Sequence, residues 1–167
     1  MRYARLLWNL FAMKRNEKKS REQMKELQEQ KLRKMLAFAY ENSPYYRRAF
    51  EAAGLDRRTV TTAPLSSFPK MDKALLMEHF DSLLTVKDLK QEELRRFDAE
   101  TSIEEKTFKG TYHVVHSSGS TGKPGYFIYD PFAWDFMITG MLRAALWGMS
   151  MGEIFRFLVK GPRILYV

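Results

Sequence analysis

The residues best suited to chemistry lie in one short loop, SSGSTGKPG, at positions 117–125. Gly119 and Gly122 let the backbone come close to a ligand, and Lys123 adds a positive charge. Four hydroxyl groups accompany them, on Ser117, Ser118, Ser120 and Thr121. Free backbone N–H groups, hydroxyls and a lysine together suit a chain of phosphates. The loop therefore predicts a phosphate-binding site, and the alternative is a flexible hairpin turn that holds no ligand.

This loop departs from the Walker P-loop in its sequence and in its setting. The Walker pattern is GxxxxGK followed by Ser or Thr, whereas Ser117 stands at the first glycine position here and Pro124 follows the lysine. The Walker loop also leads from a strand into a helix. Here β-rich runs lie on both sides, Thr111–His116 before the loop and Tyr126–Tyr129 after it. The pattern therefore predicts a β-hairpin with the loop at its tip.

The loop resembles the phosphate-binding signature of the adenylate-forming enzymes, which include acyl-CoA synthetases, peptide-synthetase adenylation domains and luciferases. Two upstream segments, LAFAYENSPYYRRAFEAAGL at 36–55 and FPKMDKALLMEHFDSLL at 68–84, resemble the phenylacetate-CoA ligase-like branch of that superfamily. The branch includes proteins of capsular polysaccharide biosynthesis. The resemblance covers residues 30–130 well and later residues more loosely, and Gly125 stands where the family often has a bulkier or charged residue.

The resemblance implies an ATP-dependent, AMP-forming ligase. A carboxylate attacks the α-phosphate of ATP to give an acyl-adenylate and pyrophosphate, and a thiol, typically that of coenzyme A, then accepts the acyl group. Mg²⁺ would shield the phosphate charges. The residues that the resemblance assigns to the β- and γ-phosphates are Ser117, Ser118, Gly119, Ser120, Thr121, Gly122 and Lys123. It assigns no catalytic residue and no metal ligand within this chain.

The later motifs of that superfamily have no counterpart in the sequence. They are an aromatic-rich stretch that stacks on adenine, an aspartate that binds ribose, and a small C-terminal domain whose lysine assists adenylation. We therefore expect the chain to be the N-terminal portion of such a ligase and to be inactive alone. The alternative is a truncated, non-catalytic homologue that serves as an interaction or membrane-surface module, with a link to capsular polysaccharide biosynthesis.

Composition and charge exclude several other classes of protein. Hydrophobic residues make up 45% and charged residues 29%, which excludes a wholly disordered chain, and the absence of cysteine excludes disulfide scaffolds and thiol catalysis. The net charge of +8 arises from residues 1–60, with 15 basic and 7 acidic residues, whereas residues 61–167 hold 13 of each. The basic residues share helices with Glu22, Glu26 and Glu29, so nucleic acid is not an expected partner.

The basic N-terminal region, residues 1–60, begins with a predicted amphipathic helix at residues 3–14. Its apolar side is formed by Tyr3, Leu6, Leu7, Leu10, Phe11 and Met13. The helix is too short to cross a bilayer, which needs about 20 apolar residues. It either packs on the rest of the protein or anchors the chain at a membrane surface. The expected location is cytoplasmic, with a peripheral position at the membrane as the alternative.

Helix start and stop signals divide the residues before the hairpin. A Ser20–Gln23 capping box predicts a helix to residue 42, and Ser43-Pro44 predicts another that ends at Gly54. A loop follows at 55–71, Asp72 should cap a further helix, and residues 86–97 should form a mostly solvated one. The three histidines suggest no site: His113 and His116 point to opposite faces of a strand, and His79 is expected at the surface.

After the hairpin, a helix that is apolar on nearly every side is predicted from Asp130-Pro131 to about Trp147. Its one polar line is Asp135, Thr139 and Arg143, read as a surface line, and strands are expected at 154–159 and 164–167. A helix of this composition is normally buried in a large domain. The chain alone should therefore expose an apolar patch around it and self-associate.

The predicted fold class is α/β. A basic lead helix at 1–19 and a helical region at 20–110 precede the start of an incomplete β/α nucleotide-binding core at 111–167. The hairpin with its phosphate loop, the buried helix and the further strands would belong to a larger N-terminal domain of the adenylate-forming type.

Overall fold

The computed structural model describes residues 2–100, 107–117, 125–146 and 148–160. They form two compact units. One combines the chain up to Lys18 with the segment from Phe132 onward, and the other comprises Lys19–Pro131. Most elements are helices, and β1 (His113–His116) and β2 (Tyr126–Tyr129) form a two-stranded antiparallel sheet. The described part is thus mainly helical and agrees with an α/β partial domain.

The helices of the Lys19–Pro131 unit begin and end where short-range sequence signals predict. The Ser20–Gln23 capping box is formed in both directions, and Ser43 caps the next helix. Gly54 follows that helix with φ of +78°, and Asp72 caps the one after it. The elements are α2 (Arg21–Asn42), α3 (Pro44–Ala52), 3-10 turns at Thr59–Thr61 and Leu65–Ser67, α4 (Lys73–Glu78), α5 (Phe80–Leu83) and α6 (Gln91–Glu100).

α6 begins five residues later than the predicted 86–97 helix. The Gln91 N–H donates to the Asp81 carboxylate at 2.8 Å, so an acceptor from another helix satisfies a free donor of the first turn. Leu89, just before the helix, is buried at 1% exposure and anchors the incoming chain. Within α6 only Leu94 is buried, which confirms that the helix is mostly solvated.

Two apolar clusters stabilise this unit. The first joins α2 and α3 through Leu36, Phe50, Leu55 and Val60. The second lies under the hairpin and is formed by Phe80, Leu89, Leu94, Phe108 and Tyr126. Because Tyr126 belongs to β2 and Leu94 to α6, the second cluster fixes the hairpin against α6.

The other unit contains α1 (Arg2–Asn16), α7 (Pro131–Ala145) and α8 (Met151–Lys160), which pack around Leu10, Leu146 and Ile154. The prediction of a strand at 154–159 is wrong, because α8 covers these residues. The sequence does carry a helix signal there. The Glu153 carboxylate accepts the Ser150 N–H at 2.7 Å, and Ser150 Oγ accepts the Glu153 N–H at 3.3 Å, which is a reciprocal capping box. The strand predicted at 164–167 lies outside the described residues.

α7 is oriented with its polar line inward. Asp135 and Thr139 are 1% and 0% exposed, whereas Phe132 and Met141 are 66% and 64% exposed. α7 thus buries Asp135 and Thr139 and exposes part of its apolar surface, so the interpretation of Asp135 as a surface residue is wrong. The physical reason is the Asp135 carboxylate, which pairs with the guanidinium of Arg5 from α1. The exposed apolar patch predicted around this helix is present.

Within the described ranges, no helix combines the length and the hydropathy that a membrane crossing requires.

Candidate phosphate-binding site

The hairpin predicted around the loop is confirmed. β1 and β2 pair in antiparallel register, with His113 opposite Tyr129 and His116 opposite Tyr126. The predicted loop begins directly after this last pair. Its first residue, Ser117, and its last, Gly125, are described. The predicted site residues between them, Ser118, Gly119, Ser120, Thr121, Gly122 and Lys123, lie outside the described residues.

Ser117 and Gly125 form what we call the neck of the loop. The Ser117 N–H donates to the Gly125 carbonyl oxygen at 3.0 Å, and the Gly125 N–H donates to Ser117 Oγ at 2.9 Å. The two ends of the loop are therefore held together by two hydrogen bonds beyond the last pair of the sheet. A hydroxyl that accepts one hydrogen bond can still donate its own proton. The neck bond is thus compatible with the role predicted for Ser117 as a phosphate donor.

Lys73 brings a positive charge to the neck. A Cβ atom placed on Gly125 would lie 3.9 Å from Lys73 Cε and 3.6 Å from Ser117 Oγ. Lys73 is the first residue of α4, which Asp72 caps, so the start of this helix sets the position of its backbone. Sequence reasoning missed Lys73, because 52 positions separate it from Gly125 and no local pattern connects them. Near a phosphate chain, a second ammonium group would add favourable electrostatic energy.

A polar cluster supports the neck from the side of α6. The Tyr126 hydroxyl donates to Asp98 Oδ2 at 3.1 Å, and His116 Nε2 lies 3.5 Å from Asp98 Oδ1. The other ring nitrogen of His116, Nδ1, lies 3.2 Å from the Ser117 carbonyl oxygen. Burial raises the pKa of Tyr126, and its hydrogen bond to Asp98 raises the pKa further. Tyr126 thus stays protonated and acts as the donor in this bond.

Sequence reasoning did not find this cluster. Asp98 lies on a helix with several other acidic residues, and nothing in its spacing distinguishes it from them. The spacing of His113 and His116 bears only on a shared metal site, which their opposite faces disfavour, and it does not indicate a contact with Asp98. In the described part of the chain, no group of three or more His, Asp or Glu residues could hold a metal ion.

Two curated proteins are similar to this chain. A phenylacetate-coenzyme A ligase from Aromatoleum evansii is 29% identical over 133 residues, which cover 77% of the chain and 26% of that ligase. A phenylacetate-coenzyme A ligase from Thermus thermophilus is 31% identical over 105 residues, which cover 62% of the chain and 19% of that ligase. No family model and no solved structure matches the chain.

These similarities support a relationship with adenylate-forming ligases over part of the chain, as the loop and the upstream segments predict. The chain spans about a quarter of the length of the first of these ligases and less of the second. Neither protein is named for capsular polysaccharide biosynthesis.

Proposed function

We propose that this chain is the N-terminal portion of an ATP-dependent, AMP-forming acyl-CoA ligase of the phenylacetate-CoA ligase type. In this proposal, the loop from Ser117 to Lys123 holds the β- and γ-phosphates of ATP. The observation that carries it is the neck, in which Ser117 and Gly125 exchange two hydrogen bonds at the end of the hairpin. The neck joins the two ends of the segment whose sequence contains the hydroxyls, glycines and lysine.

The residues of this chain would bind and orient the nucleotide. Lys123 and Lys73 would offset the negative charge of the phosphates, and the loop hydroxyls and backbone N–H groups would donate hydrogen bonds to them. Mg²⁺, when bound with ATP, neutralises charge as the α-phosphate is attacked, and coenzyme A supplies the thiol for the second step. The groups that recognise the acyl substrate, adenine and ribose would come from other parts of a full-length ligase.

Binding to this chain alone should be weak, because few of the nucleotide contacts are present. A millimolar dissociation constant, equivalent to about −4 kcal/mol, is reasonable. The test is an NMR titration of the 167-residue chain with Mg-ATP and, separately, with pyrophosphate. The proposal expects saturable shifts at Ser117, Gly125 and the residues between them. An absence of shifts there at roughly 10 mM ligand contradicts it.

Variants sharpen this test. Lys123→Ala and Lys73→Ala should each weaken Mg-ATP binding while the far-ultraviolet circular dichroism stays unchanged. Lys90→Ala is the matched control, because Lys90 is exposed and pairs with Asp81 at 3.5 Å. Equal binding by the Lys123→Ala variant and the Lys90→Ala control would remove Lys123 from the site. In a full-length ligase, Lys123→Ala should slow adenylation without unfolding the protein.

A second candidate function is favoured by the surface of α1. Leu10 packs into the core of its unit, but Leu7, Trp8 and Phe11 are 50%, 71% and 49% exposed. The helix has no acidic residue, and Lys14 and Arg15 lie in its last turn. An apolar side with an aromatic residue and flanking basic residues is typical of helices that lie on a membrane surface. We propose that α1 contacts anionic lipid at the cytoplasmic face of a membrane.

Co-sedimentation with liposomes tests this second candidate. The chain should pellet with vesicles that contain phosphatidylserine, less so as salt is added, and weakly with pure phosphatidylcholine. Trp8→Ser should reduce pelleting, whereas Phe127→Ser, at an exposed apolar residue of β2, should not. Equal pelleting with both kinds of vesicle, or none with either, would show that α1 serves only to pack within its unit.

A further inference from the structure

We propose that His116 is a positioning residue for the neck of the glycine-rich loop, formed by Ser117 and Gly125, and that Asp98 holds it in place. The inference rests on the proposed phosphate site and deepens it. It concerns the residues that shape the loop, and it assigns a role to two side chains that the loop sequence does not contain.

The imidazole ring of His116 lies between two oxygen atoms. Nδ1 is 3.2 Å from the Ser117 carbonyl oxygen, and Nε2 is 3.5 Å from Asp98 Oδ1. The contact of Nδ1 with the carbonyl oxygen is a hydrogen bond and requires an N–H at Nδ1, whereas the Asp98 carboxylate lies at ion-pair distance from Nε2. The ring thus connects α6, through Asp98, to the first residue of the loop.

Asp98 is itself fixed on the opposite side. Its Oδ2 accepts the Tyr126 hydroxyl at 3.1 Å, and Tyr126 is 5% exposed and packs in the cluster that contains Leu94. Leu94 lies one turn before Asp98 on α6 and is fully buried. One carboxylate oxygen therefore belongs to the core contact, and the other faces His116. A carboxylate placed beside a histidine in this way favours one orientation of the imidazole ring.

All three hydrogen-bonding groups of Ser117 have partners at the neck. The N–H and Oγ pair with Gly125, and the carbonyl oxygen faces His116. Because a peptide bond is planar, the direction of the Ser117 carbonyl also decides the direction of the N–H that follows it in the chain. That N–H is the first backbone donor of the predicted loop. In this proposal His116 sets the direction of that donor and acts on a bound phosphate without contacting it.

Two conservative variants separate the contacts of the ring. The amide nitrogen of Asn can take the place of Nδ1, and that of Gln can take the place of Nε2. His116→Asn should therefore keep the contact to Ser117, whereas His116→Gln should keep only the contact to Asp98. His116→Ala removes both. Tyr126→Phe is the control, because it removes the hydrogen bond from the Tyr126 hydroxyl to Asp98 but leaves both contacts of the His116 ring in place.

Hydrogen exchange at the Gly125 amide, which donates to Ser117 Oγ, is the first measurement. His116→Ala should speed this exchange about three- to tenfold, the effect of one ordinary hydrogen bond. His116→Asn should stay near the wild type and His116→Gln should resemble His116→Ala. Unchanged exchange in His116→Ala, or rescue by Gln as complete as that by Asn, would overturn the proposal. Exchange at the Leu94 amide should stay constant in every variant, which shows that the fold is intact.

Affinity for Mg-ATP is the second measurement. His116→Ala should weaken it about three- to tenfold, while His116→Asn keeps it. If the wild-type chain binds but His116→Ala binds equally well, the orienting role toward phosphate is refuted. If the wild-type chain does not bind Mg-ATP or pyrophosphate, the proposed function fails, and exchange at Gly125 alone then decides whether His116 positions the neck.

Discussion

Replacing Arg5 by alanine should destabilise the unit formed by α1, α7 and α8 by about 2–4 kcal/mol. The Asp135 carboxylate is 1% exposed, and Arg5 bonds to its Oδ2 through both Nε, at 2.6 Å, and Nη2. The guanidinium also lies over the Phe132 ring, 4.4 Å from its centre. The variant therefore removes from a buried carboxylate the guanidinium that pairs with it.

The magnitude follows from the burial of the two partners. Removal of one member of a fully buried ion pair costs about 3–5 kcal/mol, because the remaining charge is left without compensation. Arg5 is 32% exposed, so water can reach part of the site after the substitution and lowers that cost. Arg5→Lys keeps the charge but loses the planar fork, and it should cost less than Arg5→Ala. Replacement of both partners, as in Arg5→Met with Asp135→Leu, should recover much of the loss.

Tryptophan fluorescence during urea unfolding is the assay. The chain has three tryptophans, and the two that the structure describes, Trp8 and Trp134, belong to the unit that contains Arg5. The signal therefore reports this unit and not the other one. Arg57→Ala is the control, because it breaks an exposed pair with Glu41 in the Lys19–Pro131 unit and should change stability by less than about 1 kcal/mol.

Two results would refute this reasoning. A loss below about 1 kcal/mol in Arg5→Ala would mean that the buried carboxylate does not depend on Arg5. Strict additivity of Arg5→Met and Asp135→Leu in the double variant would mean that the two side chains do not interact.

Three further predictions concern the Lys19–Pro131 unit, each measured by circular dichroism during urea unfolding. Leu94→Ala should cost about 2–5 kcal/mol because Leu94 is fully buried, and a loss no greater than that of the exposed Leu65→Ala would contradict this. Ser43→Ala removes the cap of α3 and should cost about 1–2 kcal/mol, with an unchanged midpoint as the opposing result. The Thr59 N–H, donating to the Asp56 carboxylate, holds the pKa of Asp56 below its ordinary 3.8. The Asp56 carboxylate therefore contributes fully to stability above pH 3.8, and this contribution is lost as the pH falls through the lower pKa that Asp56 has in the folded protein. Asp56→Asn should remove this part of the acid sensitivity.

Local features of the fold could be predicted from the sequence because they depend on residues a few positions apart. The Ser20–Gln23 capping box, the Ser43 cap and Gly54 after α3 all involve groups within one turn of the chain. The hairpin was likewise predictable from two β-rich runs around a glycine-rich loop. α8 shows the limit of such signals: Ser150 and Glu153 indicate a helix, while the apolar run after them favours a strand. Packing of Ile154 against Leu10 and Leu146 accompanies the helical outcome.

The composition of the glycine-rich loop, and its resemblance to the signature of adenylate-forming ligases, were determined by the sequence alone. The surroundings of its neck were decided by the tertiary structure, because Lys73 of α4 lies beside Gly125 and Asp98 of α6 contacts His116, the residue before Ser117. The inward side of α7 was decided in the same way. The residues of α7 are apolar apart from a single polar line, and hydrophobicity alone predicts that this polar line faces solvent. Arg5, 130 positions earlier, supplies the charge that allows Asp135 to be buried instead, and no local pattern contains that information.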